Sequence, residues 1–332
     1  MRPTLLGPKS SRRPLGNKHH SEPPNERIPI PLAKVTQVCH YGLDMKSLRR
    51  VLKRAAGPVI FFLGLFVILR WFEQSQVYHP SRSFAADGSE LGRPFENVWF
   101  QALDGVKLHG WFFPADTTSP RAQIAFVFCH GNAGNISHRL ETAAAMLQSG
   151  ASVFMFDYRG YGQSTGRPSE EGTYLDAQAA YASLRAKGFE SGNLIAFGES
   201  LGGAVATELS RRESCGGLVL HSTFTSILDI GADLFPWLPV RWIARIKYDT
   251  LSKLPTLQIP VLVMHSPEDD LIPFRHAQRN FDAIRSAKLL VELEGDHNYP
   301  VGDKYVAAVE RFFELLQTSR RQAPPDRDSQ GE

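Results

Sequence analysis

Residues 198–202 read Gly-Glu-Ser-Leu-Gly and fit G-x-S-x-G, a pattern in which the central serine can serve as a nucleophile. A serine hydroxyl attacks poorly until a base removes its proton. His297, in LEGDHNYP, is the candidate base. Asp269, in MHSPEDDLIP, is the candidate acid to orient it, with Asp270 and Glu268 as rivals in the same stretch. The chain order Ser200, Asp269, His297 suits acyl transfer through a covalent acyl-serine. The oxyanion formed on attack needs two backbone N–H donors. Leu201, next to the serine, is one candidate; Asn132 or Ala133, in CHGNAGN, is the other. His130 in that stretch is a second imidazole, better read as shaping its loop. Alone, the five-residue pattern suits an inert glycine-rich turn equally well, so its flanking elements decide.

Those elements favour a working site. NLIAF runs straight into Gly198 and LGGAVATELSRR continues as a helix, the strand–turn–helix setting that a nucleophilic serine requires. A Cβ at Gly198 or Gly202 would clash in so sharp a turn. Around Leu103-Asp104-Gly105 two alternating runs predict a hairpin. Short apolar runs at 124–129, 152–157, 193–197, 217–221, 261–265 and 288–293 then alternate with helical periods near 136–148, 170–187, 201–212, 274–285 and 303–317. Continuous apolar runs are the mark of parallel strands buried on both faces. The fold class expected is α/β: a doubly wound, mostly parallel sheet, with functional groups at the strands' carboxyl ends. Between Ser222 and Pro260 the alternation breaks into an aromatic stretch, expected as a short helical cap over about 223–258. Phe235, Trp237 and Trp242 in it are candidates to line an acyl groove, or simply to pack.

The N-terminal third differs. Residues 1–54 hold 12 Lys and Arg against 3 Asp and Glu, whereas the remainder holds 25 against 31. The mildly acidic main part argues against nucleic-acid binding. Residues 1–50 are expected to form a disordered basic tail. From Ala55 to Leu69 no residue is charged, and snorkelling Lys and Arg side chains extend the run to a transmembrane anchor over 51–72. A cleaved signal peptide and a buried or interfacial helix are the alternatives. Arg49, Arg50, Lys53 and Arg54 put the N-terminus on the cytoplasmic side and the main domain across the membrane, in periplasm or lumen. Met45 opens a region that would serve as an ordinary anchor start. A linker is expected over 73–94 and a flexible tail over 318–332. Three cysteines without a C-x-x-C argue against a disulfide framework or a zinc site. Asn135-Ile-Ser137 is a glycosylation sequon by pattern, but its place at a helix start beside the candidate site argues against modification.

With these motifs in order, residues 95–317 resemble an α/β-hydrolase domain: FCHGNAGN, FDYRGYGQS, GESLGG, HSTFTS, HSPEDDLIP and GDHN follow one another as in that family. VYHPSR, residues 77–82, and the short N-terminal helix resemble its membrane-anchored branch, which includes depalmitoylating thioesterases and lysophospholipid lipases and overlaps a serine aminopeptidase profile. Two departures are Ser266, where the branch often has Gly, and the N-terminal tail, which has no counterpart. The resemblance implies a Ser200–Asp269–His297 triad, with the acid-loop spacing pointing to Asp269 over its rivals, and no metal or organic cofactor. A membrane-anchored serine hydrolase of ester or thioester bonds in acyl or lipid-like substrates is expected, as a monomer. A peptidase releasing N-terminal residues and a catalytically inactive scaffold are the alternatives.

Overall fold

The computed structural model describes residues 45–297 and 302–322. Contacts divide the chain into two units, Met1–Ile60 and Phe61–Glu332. The tail expected over 1–50 lies outside the described residues as far as residue 44. From Met45 the chain is helical, as α1 (Met45–Val77). Its stretch Leu52–Val77, 26 residues, is long and apolar enough to cross a membrane, by length and composition. The helix does not stop at Phe72. Glu73 extends its use: Oε1 accepts the backbone N–H of Ile246 at 2.8 Å and that of Arg245.

Eight strands build one sheet: β1 (Glu96–Gln101), β2 (Lys107–Phe113), β3 (Ala125–Cys129), β4 (Ser152–Asp157), β5 (Leu194–Glu199), β6 (Gly217–His221), β7 (Val261–His265) and β8 (Lys288–Glu292). Their order is β8-β7-β6-β5-β3-β4-β2-β1. The β1–β2 hairpin and the β2–β4 pair are antiparallel; every other pair is parallel. The period of two explains why the central strands are apolar throughout. Val127 and Cys129 enter one core, with Ala177 of α3 (Glu170–Ala186) and Val205 of α4 (Leu201–Arg212). Phe126 and Phe128 enter the other, with Met146 of α2 (Leu140–Gln148) and Phe312 of α8 (Asp303–Gln322), the helix that follows α7 (Arg275–Ala283). Each face therefore excludes water, and burying one such phenylalanine is worth about 1.5–3 kcal/mol.

Three boundaries differ from expectation. The cap contains only α5 (Ile227–Leu234) and α6 (Val240–Ile243), before the chain turns irregular. Pro236 and Pro239 fall between them, and a proline inside a helix removes a hydrogen bond and clashes with the preceding turn. The region 73–94, expected as a linker, is packed. Val77 and Tyr78 are buried, the Tyr78 and Tyr248 hydroxyls lie 3.0 Å apart, and His79–Pro80 pairs in parallel with Ala133–Gly134. Backbone pairing of this kind leaves no side-chain pattern to read. Finally, α8 runs to Gln322, so the flexible tail expected from 318 begins inside a helix; 323–332 lie outside the described residues.

Candidate active site

Ser200 stands between β5 and α4 with φ 53° and ψ −117°, a left-handed conformation that side chains other than glycine rarely adopt. The surroundings over-determine it. Its N–H donates to the His221 carbonyl at 2.8 Å, and its carbonyl accepts from Gly203 N–H at 3.0 Å and from the Thr223 hydroxyl. Two glycines permit the approach. A Cβ on Gly202 would stand 1.9 Å from the Cys129 carbonyl oxygen, and one on Gly198 2.3 Å from that of Gly202. Leu201 opens α4, where a helix leaves its first N–H groups unpaired and its dipole favours negative charge.

Asp269 follows β7 and is buried, whereas Glu268 and Asp270 are exposed. Its Oδ1 accepts the N–H groups of Leu271 (3.0 Å) and Ile272 (2.7 Å). Its Oδ2 lies 2.7 Å from His297 Nδ1 and 3.2 Å from His265 Nε2. Burial alone would raise the carboxyl's pKa, but the hydrogen bonds from His265, His297 and Ile272 outweigh it and hold the group well below the usual carboxylate range. His297 follows β8. Its imidazole, 11% exposed, lines with Ser200 a cavity of about 230 Å³.

Asn132 and Ala133 line the same cavity, on the loop after β3. The Asn132 carbonyl accepts from the Tyr161 hydroxyl (2.8 Å) and from His79 N–H (3.0 Å). The Gly131 carbonyl accepts from His130 Nδ1 at 2.7 Å. In a trans peptide the N–H points away from the carbonyl, so the N–H groups of Asn132 and Ala133 face away from these partners. His130 is buried, its pKa pushed down to about 3 by burial, and its ring lies tilted at 4.4 Å against Tyr158, whose hydroxyl donates to the His130 carbonyl. Arg159 is committed elsewhere, to Asp176 and Asp104. Asn135 of the sequon is fully buried, its Nδ2 donating to the carbonyls of Ser81 (3.2 Å) and Ser83 (2.8 Å).

Beneath this loop lies Asp157, whose Oδ1 accepts Ile136 N–H at 3.0 Å. Burial pushes its pKa up to about 7. A group whose folded pKa stands above its unfolded value, about 3.9, stabilises fully below that value and loses its contribution as pH rises through the folded one. Asp157→Asn is therefore expected to gain Tm relative to the parent as pH rises from about 5 to 8. Thermal melts check this; a pH-independent difference would mean that the carboxyl titrates alike in both states.

The cap residues are not brought to the serine. Phe235, Trp237 and Trp242 do not line the Ser200 cavity. Phe235 instead packs edge-on against Phe72 of α1 at 6.3 Å, while Trp237 is 76% and Trp242 91% exposed. The acyl groove expected from them is thus corrected: the apolar side of the cap is taken up by α1, with an apolar cavity of about 120 Å³ between Phe72, Val77, Ile230, Phe235 and Val240. Sequence reasoning also missed what does line the serine cavity. Arg139 Nε donates to Glu199 Oε1 at 2.7 Å, and His221 forms part of the wall. Arg139 carries no motif signal and lies 60 positions from Glu199; His221 opens the HSTFTS motif, which by itself does not mark it as cavity wall.

Comparison with known proteins agrees with this geometry at the level of the fold. The family described as alpha/beta hydrolase fold matches residues 124–247. The chain is 36% identical over 273 residues to the uncharacterized protein Rv2307c of Mycobacterium tuberculosis, covering 79% of this chain and 96% of that one. It is 35% identical over 245 residues to the alpha/beta hydrolase domain-containing protein WAV2 of Arabidopsis thaliana, covering 66% and 77%. Among solved structures, the Pyrococcus furiosus esterase Pf2001 aligns with a TM-score of 0.59 at 19% identity, over 73% of this chain and 98% of that one. At that identity the likeness concerns the fold.

Proposed function

The chain belongs to the α/β-hydrolase family, and from that premise we propose that it is a serine hydrolase cleaving carboxylic ester or thioester bonds through an acyl-enzyme on Ser200. The observation that carries the reading is the 2.7 Å contact between His297 Nδ1 and Asp269, with His297 and Ser200 on one cavity. Ser200 Oγ attacks the carbonyl carbon while His297 Nε2 takes its proton. Ionised Asp269 holds Nδ1–H and stabilises the imidazolium. The oxyanion is received by the N–H of Leu201 and that of Asn132 or Ala133. Collapse expels the alcohol or thiol, which takes the proton from His297. Water, deprotonated by the same imidazole, then releases the acid and restores the serine.

The cavity favours a short acyl group, since it falls below the roughly 300 Å³ of ordinary ligand pockets and polar side chains such as Arg139, Thr142, Glu199 and His221 line it. The long lipid-like chain expected from the aromatic cap has no support there. In this reading α1 anchors the protein in a membrane through its uncharged stretch Ala55–Leu69, with the basic residues before it on the cytoplasmic side and the hydrolase unit across the bilayer. The detergent-solubilised protein is expected to hydrolyse p-nitrophenyl acetate, and Ser200→Ala to fall at least about 10⁴-fold in kcat. Equal rates for the two proteins would remove the nucleophile from this scheme.

A further inference from the structure

One group in the wall of the Ser200 cavity has no part in that chemistry. His221 ends β6, and only its backbone carbonyl serves the serine turn. The residue is 1% exposed and forms part of the wall of the cavity with Ser200 and His297. Neither ring nitrogen has a hydrogen-bond partner among the described residues. The ring lies edge-on to Tyr305 at 5.3 Å and tilted against Phe197 at 6.1 Å, and aromatic faces do not satisfy it. Leaving a buried donor or acceptor bare costs about 1–3 kcal/mol, and native interiors seldom tolerate it without a use.

The chemistry of the missing partner can be narrowed. Burial pushes the His221 pKa down to about 3, so near neutral pH the ring carries no charge, and one nitrogen donates while the other accepts. A hydroxyl suits either nitrogen, because it can donate or accept. A plain alkyl group would leave both bare. An anionic group would find the one guanidinium of the wall among the described residues, Arg139, already neutralised by Glu199 at 2.7 Å.

We propose that the substrates are short, uncharged esters bearing a hydroxyl near the scissile bond, and that the His221 imidazole is the specificity-determining group that binds this hydroxyl. The proposal rests on the reading of Ser200 as nucleophile. The hydroxyl can belong to the acyl or to the alcohol side, and matched pairs separate the two: p-nitrophenyl 3-hydroxybutyrate against p-nitrophenyl butyrate, and glyceryl monobutyrate against propyl butyrate.

The purified full-length protein in detergent is expected to favour the hydroxylated member of at least one pair by about 10–100-fold in kcat/KM, the factor that an unsatisfied buried group produces. His221→Phe, or His221→Met should the first variant not fold, brings that ratio to within about 3-fold of unity. His221→Gln, which keeps a donor and an acceptor, retains a preference. The ratio is the readout because a general loss of packing lowers both members of a pair alike. Hydrolysis of the plain esters without a preference in the parent overturns the proposal and leaves Ser200 in place. So does a preference that survives in His221→Phe or His221→Met. Failure of every ester, together with no labelling of Ser200 by a fluorophosphonate, removes the nucleophile and this proposal with it.

Discussion

Replacing Asp269 by asparagine lowers kcat for an activated ester about 10⁴-fold, whereas Asp270→Asn and Glu268→Gln stay within about 3-fold of the parent. The three carboxylates lie within three consecutive positions, yet only Asp269 is buried and within 2.7 Å of His297 Nδ1. An asparagine there can turn its NH₂ toward the ring. The imidazole then keeps its proton on Nε2, the nitrogen that must accept one from Ser200. The variant stays folded on this account, because the amide oxygen can still accept from Leu271 and Ile272. Steady-state kinetics beside a thermal melt make the check. A loss shared equally by Asp270→Asn would move the orienting role off Asp269.

The second large effect falls on stability. Gly202→Ala is expected to destabilise by about 4 kcal/mol or more, enough to prevent folding in a marginal domain. The added carbon would sit 1.9 Å from the Cys129 carbonyl oxygen and 2.6 Å from that of His130. Both are backbone atoms at the end of a central strand, so neither can rotate away. Gly192→Ala is the control, since nothing lies within 4 Å of its added carbon, and it should change stability by less than about 0.5 kcal/mol. Denaturant melts of the two variants check this. Equal stabilities would mean that the turn around Ser200 relaxes more freely than its packing implies.

How far the sequence could be read depended on where side chains carry the information. The inner strands were legible because both their faces are buried, which leaves unbroken apolar runs such as Ala125–Cys129. The turn at Ser200 was legible because close packing demands glycine at fixed offsets, and the order of Ser200, Asp269 and His297 follows from which strand ends they occupy. The segment after α1 was not. Its attachments are backbone bonds, such as His79 N–H to the Asn132 carbonyl, which any side chain would allow. The cap misled for another reason: exposed tryptophans such as Trp242 look in sequence like the lining of a pocket. Arg139, like the bare imidazole of His221, comes near Ser200 only through the packing of distant elements.

The most direct test of the account is mass spectrometry of the full-length protein after reaction with a fluorophosphonate probe. One phosphonyl group per chain is expected, carried by the peptide containing Ser200 and absent after Ser200→Ala. A probe that settles on another serine, or that still labels the alanine variant at the parent's rate, would contradict it.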